Sequence, residues 1–123
     1  MKNYDLTIHP ADSSHSFRRV DVIGCLDSHT VVGFEKSLHN LLDEGVTRLL
    51  IDLSELSYIS SAGISALMGL THRLRKNNGD LVLLKPTEKV HRVFRTLGFT
   101  NIFKIVEDEN EVEASFTGTG SES

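Results

Sequence analysis

The chain has 123 residues, a net charge of −4, 39% hydrophobic residues and 24% charged residues. That is one domain's worth of sequence in the ordinary globular range, long enough to bury about two-thirds of the unfolded chain's surface. A single cysteine, Cys25, excludes an internal disulfide; the six histidines lack zinc-type spacing, and no apolar run reaches signal or membrane-spanning length, so a cytoplasmic chain with no membrane insertion is expected.

The charge is unevenly placed. Residues 107–123 hold six acids and no Lys or Arg; the rest carries 13 basic and 11 acidic residues, a net of +2. Within that body, residues 72–104 hold eight basic residues and two acids. Solvated helix faces account for such a stripe. With no interleaved aromatics and no recognised binding motif, direct DNA binding is not expected.

In chain order, residues 4–9 and 17–23 alternate apolar and polar, with Val20 and Val22 on one face. Joined by the polar stretch 10–15, they predict a hairpin whose second strand ends at Gly24. Val31, Phe34, Leu38, Leu41 and Leu42 recur at helical spacing, with Asp27, Ser28 or Thr30 as the cap and Gly45 as the left-handed terminator. Residues 46–53 form a strand whose Leu49-Leu50-Ile51 run lacks alternation and predicts cover on both faces. A polar turn follows. A helix over about 62–77 then presents Ile64, Leu67, Met68, Thr71 and Leu74 inward, and Arg73, Arg75 and Lys76 suit the dipole at its end.

Residues 80–84 are a short apolar strand. Thr87 caps a helix over 88–97 with Val90, Val93, Phe94 and Leu97 inward and Gly98 at its end. Residues 102–106 are a last strand, 107–114 a short C-terminal helix, and 115–123 a disordered tail. The order predicts an α/β fold: a mixed, mostly parallel sheet of about five strands, an opening antiparallel hairpin and three main helices. There is no internal repeat and no linker.

Ser60 and Ser61 stand where a strand hands over to a helix. One reading is a helix N-cap. The other uses the unpartnered N–H groups and partial positive charge of a helix N-terminus, which suit a phosphate on Ser61. Parallel strands bring their C-terminal ends to one edge, so Asp27 and Ser61 share that edge if their strands are neighbours. Gly63 allows close packing or close approach of a partner. An Asp27, His29, Ser61 triad can be written down, but Ser61 is not in Gly-x-Ser-x-Gly, and no P-loop or Gly-x-Gly-x-x-Gly is present. A catalyst is not expected, and Cys25 reads as a small packed cysteine.

The pattern Gly24-x-Leu26-Asp27 followed by Asp52-Leu53-Ser54-x-Leu56-Ser57-Tyr58-Ile59-Ser60-Ser61-Ala62-Gly63-Ile64 resembles the STAS domain. More narrowly, it resembles bacterial anti-sigma factor antagonists. Asn78-Gly79-Asp80-Leu-Val-Leu and Val93-Phe94-x-x-Leu97-Gly98-Phe99 also fit, so the likeness spans roughly residues 4–112. It implies a STAS domain over 1–114 that acts by binding an anti-sigma factor with serine kinase activity. It implies phosphorylation at Ser61, reversed by a serine phosphatase, in partner-switching control of transcription. Asp27, Ser28, Ser60, Ser61, Ala62, Gly63 and Ile64 are then the partner-binding residues, with no cofactor or metal, in a monomer or weak dimer.

Three positions depart from the family pattern: Ser60 replaces a usual Asp, Ala62 a frequent Ser or Thr, and Cys25 a frequent Glu. They keep two alternatives open, a scaffold or adaptor that is not phosphorylated and a nucleotide- or small-molecule-binding module.

Overall fold

The computed structural model describes residues 4–117. Strands β1 (Tyr4–Ile8) and β2 (Arg18–Leu26) form the antiparallel hairpin, with Tyr4 opposite Gly24 and Ile8 opposite Val20. Then follow α1 (Val31–Asp43), β3 (Arg48–Asp52), β4 (Leu56–Ile59), α2 (Ser61–Lys76), β5 (Asp80–Leu84), α3 (Glu88–Leu97), β6 (Lys104–Val106) and α4 (Val112–Thr117). The sheet order is β1-β2-β3-β5-β6, parallel from β2 onward, and β4 pairs with β2 off that path.

The sheet has six strands, one more than the sequence pattern predicts. The stretch read as a polar turn contains β4, and β4, not the Leu49–Ile51 strand, enters α2. Its four residues, Leu-Ser-Tyr-Ile, are buried only at the two ends and carry no alternation. Their strand state comes from β2, which pairs with β3 along Arg18–Asp21 and with β4 along Gly24–Leu26. For the same reason β2 does not stop at Gly24. That glycine adopts φ 96°, the register shifts there, and two further residues continue the strand.

Alternation of side chains splits the core in two. Leu49, Ile51, Leu81 and Leu83 face α1, α2 and α3 with Val20, Val22, Phe34, Leu38, Leu67 and Phe94. Leu50, Val82, Leu84 and Val106 face the other way, against Val112 and Phe116 of α4 and Phe17 of the hairpin. The double cover expected for the β3 run is therefore present, and α4 supplies it. This helix begins after a 3-10 turn at Glu109–Glu111 and packs to Thr117, past the boundary expected at 114. Phe116 stacks on Phe17 with ring centroids 5.5 Å apart. The remainder of the expected tail, 118–123, lies outside the described residues.

Two residues assigned to inner helix faces are exposed. Leu97 is 53% exposed because Gly98, at φ 81°, turns the chain into a 3-10 turn at Phe99–Asn101, and Phe103 fills the space under Phe94 instead. Met68 is 38% exposed, at the margin of a buried stripe made by Gly63, Ile64, Ala66, Leu67, Leu70, Thr71 and Leu74. Thr87 caps α3 as expected, accepting from the Val90 N–H at 3.3 Å.

Two constraints at the far end of α2 are testable. A Cβ on Gly79 would lie 1.7 Å from the Thr47 carbonyl oxygen, in a backbone crossing that cannot yield. Gly79→Ala is expected to destabilise the fold by at least about 2 kcal/mol in urea denaturation, since small-to-large changes in filled space force backbone shifts. The Asp80 carboxylate accepts from Arg75 Nε at 2.9 Å and the Leu81 N–H at 2.8 Å, with Lys104 Nζ at 2.9 Å. Burial alone would raise its pKa, but the Lys104 and Arg75 hydrogen bonds, the Leu81 N–H and the Arg75 charge together hold it below the usual carboxylate range. A depressed native pKa contributes stability above the unfolded value, near pH 4, and loses it as pH falls through the lower native value. Asp80→Asn is therefore expected to be less stable than the parent at pH 7, with the gap closing below about pH 4.

Candidate functional site

The site is the edge where β2 and β4 end side by side. Leu26 and Ile59 are register partners, so the residues that follow them, Asp27 and Ser60, leave the sheet next to each other. The Ser60 N–H donates to the Leu26 carbonyl at 2.9 Å and continues the ladder one step past the strand. The two chains then turn into α1 and α2. The expectation that Asp27 and Ser61 share an edge holds, through β4 as the link.

The two serines divide the roles that the sequence leaves open. Ser60 is the N-cap: its backbone is extended, and its Oγ accepts from the Gly63 N–H at 3.4 Å. Ser61 is the first residue of α2 and is exposed, with no hydrogen bond tying its hydroxyl among the described residues. The N–H groups of this first turn lie beyond the reach of any intrahelical carbonyl, and no acidic residue sits there to offset the dipole.

Asp27 is 6% exposed and works as a local brace. Its Oδ1 accepts from the backbone N–H of His29 at 2.9 Å and of Thr30 at 3.1 Å, and its carbonyl accepts from the Val31 N–H. Thr30 Oγ1 closes the turn by donating to the Cys25 carbonyl at 2.8 Å and accepting from the Asp27 N–H at 3.0 Å. Of the three capping candidates, Thr30 stands at the N-cap position of α1 without a side-chain cap bond, Asp27 braces the turn that precedes the helix, and Ser28 is exposed to solvent. His29 meets the Asp27 carboxylate through its backbone, so the imidazole link that a catalytic triad needs is not the contact made here.

Gly63 and Ile64 are buried. A Cβ on Gly63 would lie 2.7 Å from Ile59 Cγ1 and 2.9 Å from the Leu26 carbonyl oxygen, so the missing side chain lets α2 close onto β2. These two residues shape the surface without forming it, while Ser28 and Ser61 are exposed to solvent and Ser60 and Ala62 are half-buried. Cys25 is half-buried, with its Sγ 3.9 Å from Ser57 Oγ; Ser57 Oγ itself donates to the Gly24 carbonyl at 2.9 Å and pins β4 to the β2 bulge.

Sequence reasoning missed three large apolar side chains exposed on β4, α1 and α2: Tyr58 (43%), Val32 (67%) and Met68. Val32 carries a readable signal, since it falls outside the helical spacing set by Val31, Phe34 and Leu38. Tyr58 carries none, because the strand that presents it is invisible in the pattern. Among the described residues, no group of three or more His, Cys, Asp or Glu side chains could hold a metal ion, and no helix is long and apolar enough to cross a membrane.

The STAS domain sequence profile matches residues 11–112. A Bordetella bronchiseptica protein, BtrV, assigned as an anti-sigma factor antagonist, is 33% identical over 93 residues, which cover 76% of this chain and 80% of that protein. The anti-sigma-B factor antagonist of Listeria monocytogenes is 29% identical over 114 residues, covering 92% and 97%. The fold matches that of the anti-sigma factor antagonist SpoIIAA in its unphosphorylated form, with TM-score 0.75, 20% identity and coverage of 90% and 96%. The phosphorylated form of SpoIIAA from Bacillus also matches, with TM-score 0.68, 20% identity and coverage of 90% and 99%. With its profile match across most of the described residues, this chain belongs to the STAS domain family, among relatives that are anti-sigma factor antagonists.

Proposed function

We propose that the chain is an anti-sigma factor antagonist that captures a kinase-type anti-sigma factor and is switched off by phosphorylation at Ser61. The observation that carries the reading is the division of labour at the start of α2. Ser60 is committed to the cap, and Ser61, one residue on, is exposed and makes no hydrogen bond through its hydroxyl among the described residues. A kinase needs an accessible hydroxyl, and a partner needs a surface that a phosphoryl group can spoil. Ser61 meets both needs.

The switch follows from charge. In the unmodified state Ser61 is a small neutral contact. Phosphorylation adds close to two negative charges at pH 7 and three strong acceptor oxygens. Inside the domain the dianion is tolerated, because the α2 N-terminus offers N–H groups, its first turn has no carboxylate, and the Asp27 carboxylate is turned into its own loop. A partner surface fitted to a hydroxyl would instead have to desolvate that charge. Uncompensated charge in an interface costs several kcal/mol, and about 1.4 kcal/mol is tenfold in affinity. A loss of roughly hundreds-fold to thousands-fold needs no change of fold. A serine phosphatase would restore the hydroxyl, and nothing in this scheme calls for a cofactor. A cytoplasmic setting, where a transcription regulator meets its partner, accompanies the proposal.

Incubation with the cognate anti-sigma factor and ATP, followed by peptide mapping, is expected to place one phosphate on Ser61 and none on the Ser61→Ala variant. Phosphate on Ser60, on Ser65 or nowhere would contradict the assignment. Ser60→Ala is expected to leave Ser61 a substrate while lowering stability by about 0.5–1 kcal/mol, the lower range for loss of a cap.

A further inference from the structure

Helix α2 takes its start from β4, and β4 is held unequally on its two sides. On one side runs β2, with Leu56 opposite Gly24, Tyr58 opposite Cys25 and Ile59 opposite Leu26. On the other side no strand pairs with it among the described residues. The hydrogen bond on that side comes from the connection between β5 and α3, residues 85–87.

This connection has little backbone to offer. The Lys85 N–H donates to the Val106 carbonyl at 2.8 Å, on the β6 side, and Pro86 carries no N–H. A side chain donates instead. Thr87 Oγ1 donates to the Leu56 carbonyl at 3.0 Å and accepts from the Val90 N–H at 3.3 Å. One hydroxyl thus spends its proton on β4 and a lone pair on the cap of α3. The cap alone needs only an acceptor, which Asp or Asn supplies at least as well. The second bond needs a donor too.

A shift of β4 reaches the site directly. Ile59 ends β4, and a Cβ on Gly63 would lie 2.7 Å from Ile59 Cγ1, so the first turn of α2 rests on that residue. We propose that Thr87 is a positioning residue for the Ser61 edge: its hydroxyl holds the outer side of β4 and so sets where Ser60 and Ser61 leave the sheet. The proposal rests on the reading of Ser61 given above and adds to it a residue that acts through β4. Without this donor β4 keeps its bonds to β2 but samples displaced positions, and only the aligned fraction presents Ser61 to the kinase. A competent state that is fractionally populated weakens apparent affinity by that fraction and leaves the reaction of the bound complex unchanged.

Three variants separate this from a purely structural cap. Thr87→Ser keeps the donor and the acceptor. Thr87→Asp keeps the acceptor, so α3 stays capped, but an ionised carboxylate has no proton for Leu56. Thr87→Val keeps the shape and loses both bonds. In phosphorylation by the cognate anti-sigma factor with ATP, Thr87→Asp and Thr87→Val are expected to raise KM for the chain about three- to tenfold at unchanged kcat, the effect of one net hydrogen bond. Thr87→Ser is expected to match the wild type. Amide exchange over residues 57–61 is expected to quicken in both impaired variants, while the Val90 N–H keeps its protection in Thr87→Asp and loses it in Thr87→Val. Wild-type KM in either Thr87→Asp or Thr87→Val would overturn the proposal. So would a fall in kcat at unchanged KM, or a Thr87→Ser variant as impaired as the other two. If Ser61 takes no phosphate even in the wild type, the Ser61 reading fails first, and unchanged exchange over 57–61 in Thr87→Asp would end the Thr87 link separately.

Discussion

The contact on which the site depends is the one between Gly63 and the end of β2. The Leu26 carbonyl accepts the Ser60 N–H at 2.9 Å, and the absent side chain of Gly63 lets the first turn of α2 come down over that same carbonyl. Together they fix where the helix begins and which residue becomes its cap. With Ser60 held in the ladder, Ser61 is the first residue of the helix and points away from the sheet. Any Cβ at Gly63 would lift this turn off Ile59 and Leu26 and blur the distinction between the two serines. The local packing sets the chemistry that the edge can offer.

The placement of charge continues the same logic. Helices α1 and α2 start at neighbouring strand ends, and neither has an acidic residue in its first turn. The carboxylate between them, Asp27, is buried in a turn of its own making. At the other end of α2, Arg73, Arg75 and Lys76 complement the dipole, and the two arginines are held by Asp43 and Asp80. Those two ion pairs lie at the far end of α2, while at the edge Ser60, Ser61 and Ala62 are small and uncharged. A site of this kind is sensitive to an added dianion because the surface a partner would meet at Ser60, Ser61 and Ala62 carries no charge of its own.

Much of this was legible in the residues. Periodicity gave α1, α2 and α3 within a residue or two, because each carries a long apolar stripe and a chemical stop such as Gly45 or Gly98. The strand containing Leu49-Leu50-Ile51 announced its double burial by its lack of alternation. The edge carrying Ser61 followed from topology, since parallel strands deliver their ends to one side. Strand β4 escaped because it is made by pairing with β2, a partner some thirty residues earlier, and four residues with polar centres cannot signal that. Leu97 and Met68 escaped because burial at a helix margin depends on the neighbours. Phe103 filled the space that Leu97 was expected to take. The roles of Ser60 and Ser61 were undecidable from sequence, as a shift of one residue in the helix start exchanges them.

The central claim is that a phosphoryl group on Ser61 removes the partner by charge while the domain stays as it is. Its most direct test is a calorimetric titration of the cognate anti-sigma factor with the chain prepared in two forms, unmodified and carrying phosphoserine at position 61, with amide spectra of both. The account predicts a loss of at least about a hundredfold in affinity, with amide shifts confined to the ends of β2 and β4 and the first turns of α1 and α2. Equal affinity in the two forms, or shifts spread through the sheet, would contradict it.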